Sequence, residues 1–446
     1  MQALDTTIVN TALPSIARSL GVQPMVTEWV IVSYILTMAL LTPASGWLAD
    51  RFGTRRVYQA AITLFVVGSL SCAGAHTLPQ LVAARVVQGL GGSMLLPIGR
   101  LAVLRRVGGE QFVAALALIS VAGQVGPIVG PTLGGWFVEA MSWHWIFLIN
   151  VPIGVAGLLA VQRYLPHDSA SATPPFDIVG CTLLSLAMIA LSLAVDAPVQ
   201  SHRAAWSAAL SGVGAAAALA YLPYASHRRH PLFRLGLFGE PNFGVGLLGN
   251  LVCRVGSSAV PFLLPLLLQL ELGYSPLQSG LMMLPAALAG VVAKRWIAPL
   301  VQRHGYDAFL RVNTTVVGGS IVGFAFIGPH TPPWLAIGLL AAFGASNSMQ
   351  FAAMNSVTLK GLSHADAGSG NSLFSMVQML AMSLGVSIGG ALVKLFSGPS
   401  GPELLGFRMS FACVGVIALA AVLVFRGIDR EPGASRAHAP AAAAGR

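Results

Sequence analysis

Long apolar runs separated by short polar turns make up almost the whole chain. A helix needs roughly 17 to 25 apolar residues to cross a bilayer, and most of the runs meet that length. The pattern therefore predicts an all-α polytopic membrane protein. Its complete predicted spans are 26–49, 57–75, 78–99, 112–137, 145–162, 178–195, 204–225, 243–270, 277–301, 308–328, 332–357, 372–395 and 404–426.

A further apolar run, MQALDTTIVNTALP, opens the chain and has too few residues before Arg18 to cross a bilayer of about 30 Å. It lacks a basic leading region and a cleavage site, so it does not have the form of a signal peptide. We expect an incomplete first helix, produced by a misplaced start or a truncated chain.

Composition supports the membrane assignment, because 9% of the residues are charged and 55% are hydrophobic. Soluble proteins carry about 25% charged residues. The net charge of +10 does not indicate nucleic-acid binding, since Lys and Arg gather in alternate loops. The loops on the opposite side hold only Arg18, Arg203, Lys394 and Arg408. The positive-inside rule then places both termini in the cytoplasm. The scattered cysteines predict neither a disulfide framework nor a metal site.

The segment GWLADRFGTRR forms a charged turn between two apolar runs and must lie at a membrane surface. Glycine lets helix ends approach and lets the chain reverse, and arginine anchors a turn in the cytoplasm. The alternative is a plain basic loop. The residues of interest in this turn are Gly46, Asp50, Arg51, Gly53, Arg55 and Arg56.

A weak echo of this turn occurs 252 residues later, where 298–305 overlays 46–53 and keeps Leu, Arg and Gly. Three matches in eight can occur by chance, but a protein built from two related halves is expected to repeat the turn at this place in its second half. We predict an N-terminal six-helix bundle over 1–163, an inserted helix pair with its loops over 164–229, a C-terminal six-helix bundle over 230–426 and a disordered cytoplasmic tail over 427–446.

Charged side chains inside the spans are expensive and point to function. Arg85, Gln88 and Gly89 share one face of their helix. Asp5 is the carboxylate placed well inside a span, and an acid that alternates between an arginine, water and a substrate acts as a proton switch. The alternatives are a structural ion pair for Arg85 and a helix-end cap for Asp5.

In the span 112–137, the segment GQVGPIVGPTLGG has a small residue at every fourth position, with prolines between them. Small residues at this spacing allow close helix packing, and prolines bend the helix. We interpret this face as a hinge. It consists of Gly126, Pro127, Gly130, Pro131, Gly134 and Gly135.

The remaining polar residues of the spans are candidate walls of a substrate cavity, although each can instead bond a neighbouring helix. Arg254 stands apart, because a cation there repels cationic compounds or pairs with an acidic group of a substrate. The cavity candidates are Asn10, Gln88, Gln124, Arg254, Gln269, Asn347, Gln350 and Asn355.

Other function classes are disfavoured. No lysine follows a glycine, so the chain has no P-loop for ATP. A membrane enzyme is disfavoured because the spans contain neither an HExxH motif nor a Cys/His cluster.

The motifs LDTTIVNTALP, SWHWIFLINVPIG, FDIVG and GYSPLQSGLMMLP, with the charged turn and the glycine face, resemble the major facilitator superfamily, in its fourteen-helix drug:proton antiporter branch. The resemblance implies two six-helix bundles with an inserted pair, proton coupling by Asp5 and Arg85, gating by the charged turn and no cofactor beyond the proton gradient. His144 departs from the family pattern, which usually has arginine between the two tryptophans.

For function, the resemblance implies proton-coupled export of amphipathic organic compounds from the bacterial inner membrane. The expected partners are the substrate, protons and lipid, and nucleic acid is not expected. We expect a functional monomer, with a periplasmic adaptor as the alternative. The alternatives for function are transport of a specific metabolite or siderophore, and uptake of a nutrient by symport.

Overall fold

The computed structural model describes residues 1–104, 110–165, 175–196, 201–229, 231–362, 367–398 and 403–428. The described residues form helices joined by short turns, with no strand among them. Of the predicted tail, residues 429–446 lie outside the described part of the chain.

The helices that precede the inserted pair begin with a broken first helix, because Val9 to Ala12 separates α1 from α2. A second break at Thr42 and Pro43 separates α3 from α4, as expected where proline removes a backbone donor. The helices are α1 (Gln2–Ile8), α2 (Leu13–Leu20), α3 (Glu28–Leu41), α4 (Ala44–Phe52), α5 (Thr54–Ala73), α6 (Leu78–Leu104), α7 (Glu110–Ala140), α8 (Trp145–Leu148) and α9 (Asn150–Tyr164).

The inserted pair, α10 and α11, comes next along the chain and is followed by the second set of helices, α12 to α18. Within the second set, α13 continues into a π-helical turn at Leu267–Glu271. The helices are α10 (Ile178–Asp196), α11 (Ser201–His227), α12 (Pro241–Ser258), α13 (Val260–Leu266), α14 (Pro276–Ala293), α15 (Ile297–Phe324), α16 (Pro333–Leu359), α17 (Ala367–Phe396) and α18 (Leu404–Phe425).

The helices cover all the predicted spans, so the all-α polytopic fold is confirmed, although 26–49, 145–162, 243–270 and 277–301 each run across more than one helix. Within the described residues, 11 helical stretches are long and apolar enough to cross a membrane, and one of them, Pro276–Phe324, runs through two predicted spans. The turn at Gly53 is tighter than predicted. Because α4 reaches Phe52 and α5 starts at Thr54, only Gly53 interrupts the helix where the sequence suggests a longer loop.

The echo between the halves has a backbone counterpart. Gly53 adopts φ 89° and ψ 140°, and Gly305, its partner at a shift of 252 residues, adopts φ 76° and ψ 164°. Residues with a side chain rarely adopt a positive φ, so glycine is required at both positions. The two turns therefore share one local conformation, although the domain boundaries at 163, 229 and 426 stay predictions.

The inserted pair is anchored by Asp177 of the FDIVG motif. Its Oδ1 accepts hydrogen bonds from the Gly180 N–H at 2.9 Å and from the Tyr224 hydroxyl at 2.6 Å. Its Oδ2 accepts one from the Leu232 N–H at 2.8 Å. One carboxylate thus joins the start of α10, the end of α11 and the following loop.

Candidate functional site

The first half holds a fully buried polar network around Asp5, which lies on α1 just before the helix break. Asp5 and Arg85 of α6 are 0% and 1% exposed, and Asp5 Oδ2 accepts a hydrogen bond from Arg85 Nη1 at 2.6 Å. Asp5 Oδ1 accepts from Gln88 Nε2 at 2.8 Å and from Asn150 Nδ2 at 3.1 Å. The predicted acid and base are therefore brought into direct contact.

Arg85 has further partners that do not depend on Asp5. Its Nε donates to the Val30 carbonyl at 2.9 Å, and its Nη1 donates to Gln88 Oε1 at 2.6 Å. Its guanidinium carbon lies 4.0 Å from the centre of the Tyr34 ring, within range of a cation–π interaction. Gln88 also donates to Ser69 Oγ at 2.7 Å, so α1, α3, α5, α6 and α9 all contribute to the network.

Sequence reasoning missed Asn150, which is 0% exposed and completes the donors around Asp5. The signal was present, because Asn150 is the amide within the apolar segment WIFLINVPIG. It also missed the pair of Glu28 and Lys394, in which Lys394 Nζ donates to Glu28 Oε1 at 2.6 Å. Lys394 lies in the last turn of α17 and within the predicted span 372–395, although the count of loop charges assigned it to an outer loop.

The glycine face of α7 packs against α1. A Cβ on Gly126 would meet the backbone of Ala3 and Leu4, and a Cβ on Gly134 would meet the Ile8 carbonyl. A Cβ on Gly130 would meet the Thr7 side chain, whose hydroxyl donates to the Gly126 carbonyl at 3.0 Å. Three glycines of the predicted hinge, Gly126, Gly130 and Gly134, therefore lie directly against the helix that carries Asp5.

The same helix also contacts the second half, through α14. A Cβ on Gly135 would meet the Pro276 carbonyl, and a Cβ on Gly280 would meet the Pro131 carbonyl. At the end of α7, Glu139 Oε2 accepts hydrogen bonds from the Ser275 hydroxyl at 2.8 Å and the Leu277 N–H at 3.2 Å.

These contacts belong to a side of the bundle where the two halves are bridged, here called the closed side. It is defined by the Glu28–Lys394 pair, the Glu139 contacts with 275–277 and the hydrogen bond from Gln269 Nε2 to the Thr11 carbonyl at 2.9 Å. Glu28 is 1% exposed, so the ion pair is shielded on its acidic side.

The charged turn lies at the end of α4. Trp47 packs against Phe176, with ring centres 5.5 Å apart, and so links the turn to the inserted pair. Among the described residues, a Cβ on Gly46 would meet nothing within 4 Å, so they show no close helix approach at this glycine in this conformation. Asp50 and Arg55 take part in interactions, and Arg51 and Arg56 are exposed.

The cavity candidates fall into different settings. Gln350 is buried and bonds neighbouring α15, accepting from Asn313 Nδ2 at 2.7 Å and donating to Thr314 Oγ1 at 2.7 Å. Asn355 Oδ1 accepts from Gln378 Nε2 at 2.8 Å. Asn10 is buried in the break between α1 and α2, and Gln124 and Asn347 are half-buried. For Gln350, the alternative of a helix–helix hydrogen bond is what the structure shows.

Directly before α8, at the start of the predicted span 145–162, His144 stacks on Trp143 with ring centres 3.8 Å apart. Burial lowers the pKa of His144 below its ordinary value of 6.5, and the nearby His76 lowers it further. This end of the helix therefore carries no fixed charge at neutral pH, as the departure from arginine suggested.

Comparison with known proteins decides the family. The family model described as Major Facilitator Superfamily matches residues 1–386 and 246–445. This chain belongs to the Major Facilitator Superfamily. It is 43% identical over 443 residues to the "Putative multidrug resistance protein MdtD" of Salmonella heidelberg (strain SL476), covering 97% of this chain and 93% of the relative. The protein of the same name from Salmonella typhi is equally similar, at 43% identity and the same coverage.

Solved structures of the superfamily share the fold. A D-xylose-proton symporter aligns with a TM-score of 0.70 at 14% identity, covering 97% of this chain and 96% of that one. The nucleoside transporter NupG aligns with a TM-score of 0.66 at 14% identity, covering 96% of both chains. The chain is therefore a multi-pass membrane transporter, and its relatives and fold are not those of an enzyme family.

Proposed function

We propose that this transporter is a proton-coupled antiporter that exports amphipathic organic compounds across the bacterial inner membrane by alternating access, with both termini in the cytoplasm. The observation that carries the proposal is the fully buried contact between Asp5 and Arg85. Ionisable groups inside a membrane span are costly and are a mark of ion pathways.

The network supports a proton cycle because Arg85 has two sets of partners. When Asp5 takes up a proton, the ion pair is lost, but Arg85 keeps the Val30 carbonyl, Gln88 Oε1 and the Tyr34 ring. The cation then remains satisfied while the protonated acid is released to move with α1. Loss of the proton on the other side of the membrane restores the pair.

The packing of α7 supports coupling between this site and the alternation of the halves. Its glycines contact α1, which carries Asp5, and Gly135 contacts the start of α14 in the second half. Since tightly packed helices do not deform continuously, a shift of α1 is transmitted to the boundary between the halves. In this proposal, the closed side faces the periplasm and the charged turn faces the cytoplasm.

The test uses everted membrane vesicles, acidified inside, with acridine orange reporting the pH gradient. Addition of a transported compound from a panel of amphipathic amines, neutral amides and carboxylates releases protons from vesicles with the wild-type protein. We expect Asp5→Asn to abolish substrate-driven proton release while the purified variant still binds the compound. Asp307→Asn is the matched control, because Asp307 pairs with Arg311 within one helix, at 2.7 Å.

Proton release of normal size in Asp5→Asn would remove Asp5 from the mechanism. The same vesicles test direction. Proton uptake with the substrate, instead of proton release, would replace antiport by symport.

A further inference from the structure

Arg254 of α12 lies deep within a membrane span. The continuous helical stretch Pro241–Glu271 has 31 residues, and Arg254 is about 20 Å from its start at 1.5 Å per residue. An arginine near the bilayer centre is costly, and such residues face water or an acidic partner instead of lipid.

The contacts of Arg254 leave its charge uncompensated. Its guanidinium carbon lies 3.4 Å from the centre of the Phe351 ring of α16, and its Nε donates to Asn250 Oδ1 at 3.4 Å. Within the described part of the chain, no carboxylate forms an ion pair with it. Arg254 as a whole is half-buried, and its described contacts are an aromatic ring and a neutral amide.

The first half resolves the same situation differently. Counted from the two matching turns at Gly53 and Gly305, α12 and α16 are the counterparts of α1 and α6. Asp5 and Arg85 on α1 and α6 form an acid–base pair. In the second half the base, Arg254, lies on α12, the counterpart of the helix that carries Asp5, and no acid paired with it is present among the described residues.

Asn250 adds a second unmatched donor. It is 0% exposed and lies one turn before Arg254 on the same helix face. Its Oδ1 accepts from Arg254, and its Nδ2 has no hydrogen-bond partner among the described residues. A buried donor left unpaired keeps the cost of its desolvation, and a bound acceptor offsets that cost.

We propose that Arg254 and Asn250 bind the carboxylate of the transported compound, so that the substrates are organic anions. A guanidinium matches the planar carboxylate with two parallel hydrogen bonds, and the amide supplies a further donor. The inference deepens the proposed export function and rests on it, because it names the substrate class of the same transporter.

The test measures binding to the purified full-length protein in detergent by isothermal titration calorimetry, without a pH gradient. The probes are 2-naphthoate, its neutral amide and the corresponding naphthylmethylammonium, which share one ring system. We expect the carboxylate to bind at least about tenfold more tightly than the other two, and Arg254→Gln to remove that preference. Arg163→Gln on the exposed face of α9 is the matched control and keeps it.

Asn250→Ala keeps the charge and is the second variant, in case Arg254→Gln does not fold; it is expected to weaken carboxylate binding severalfold. Equal affinity for the three probes, absence of naphthoate binding, or unchanged binding in a folded Arg254→Gln overturns the proposal. Competition by inorganic phosphate as strong as that by naphthoate overturns its organic part.

The two proposals fail in different ways. Carboxylate binding that depends on Arg254, together with gradient-independent transport, contradicts only the antiport mechanism. Export of cations driven by the gradient, without carboxylate preference, contradicts only the substrate class.

Discussion

Replacing Gly126 with alanine tests whether the contact between α7 and α1 positions the proton site. The new Cβ would lie 2.5 Å from the Leu4 backbone nitrogen, whereas ordinary van der Waals contact begins at 3.4 Å. Backbone atoms cannot rotate away as a flexible side chain can. The segment of α1 around Leu4 must therefore retreat from α7 by about 0.9 Å.

The displaced segment carries Asp5 at the next position. Asp5 Oδ2 to Arg85 Nη1 is 2.6 Å and Asp5 Oδ1 to Gln88 Nε2 is 2.8 Å. A shift of this size along either bond takes the first contact to about 3.5 Å and the second to about 3.7 Å, at or beyond the limit of hydrogen bonding. Overpacking of this kind costs about 1–3 kcal/mol. We expect Gly126→Ala to insert and fold but to lose most substrate-driven proton release in everted vesicles.

Gly123→Ala is the matched control, because it makes the same change on the same helix and its Cβ would meet nothing within 4 Å. It should transport as the wild type does. Normal proton release by Gly126→Ala, or an equal defect in both variants, would refute the reasoning that the packing of α7 on α1 sets the geometry of the site.

Three further predictions follow from the closed side, the charged turn and His144. Glu28→Gln removes the acidic partner of Lys394, which joins the start of α3 to the end of α17. Amide hydrogen exchange should therefore accelerate at these two helix ends. Unchanged exchange would contradict a bridging role. Asp50→Asn should leave membrane insertion intact but reduce vesicle transport strongly, and unchanged rates would refute the gating role of the turn. His144 should titrate by NMR with a pKa below 6.5. Because the folded state then binds fewer protons than the unfolded state, the free energy of unfolding should fall as the pH drops below 6.5. A measured pKa of 6.5 or above would contradict the burial of this side chain.

Part of the site follows directly from the sequence. Arg85 and Gln88 share a helix face because they are three residues apart, and an intramembrane acid in the same half is the natural partner of an intramembrane arginine. The structure joins Asp5 to both. The close approach predicted at Gly46 is not seen among the described residues in this conformation, since small residues indicate only that packing is possible and not which helix is near.

What the sequence determined by itself is the set of membrane spans and the two glycine turns. Bilayer thickness sets the length of each apolar run, and a positive φ restricts Gly53 and Gly305 to glycine; both constraints act locally and so leave a local pattern.

The tertiary structure alone decided which distant residues meet. Asn150 reaches Asp5 across 145 residues of chain, and Lys394 reaches Glu28 across 366. Arg254, in contrast, lies over Phe351 without an acid in the described residues. No periodicity records such meetings, because they depend on how whole helices pack against one another and not on the spacing of residues along any one of them.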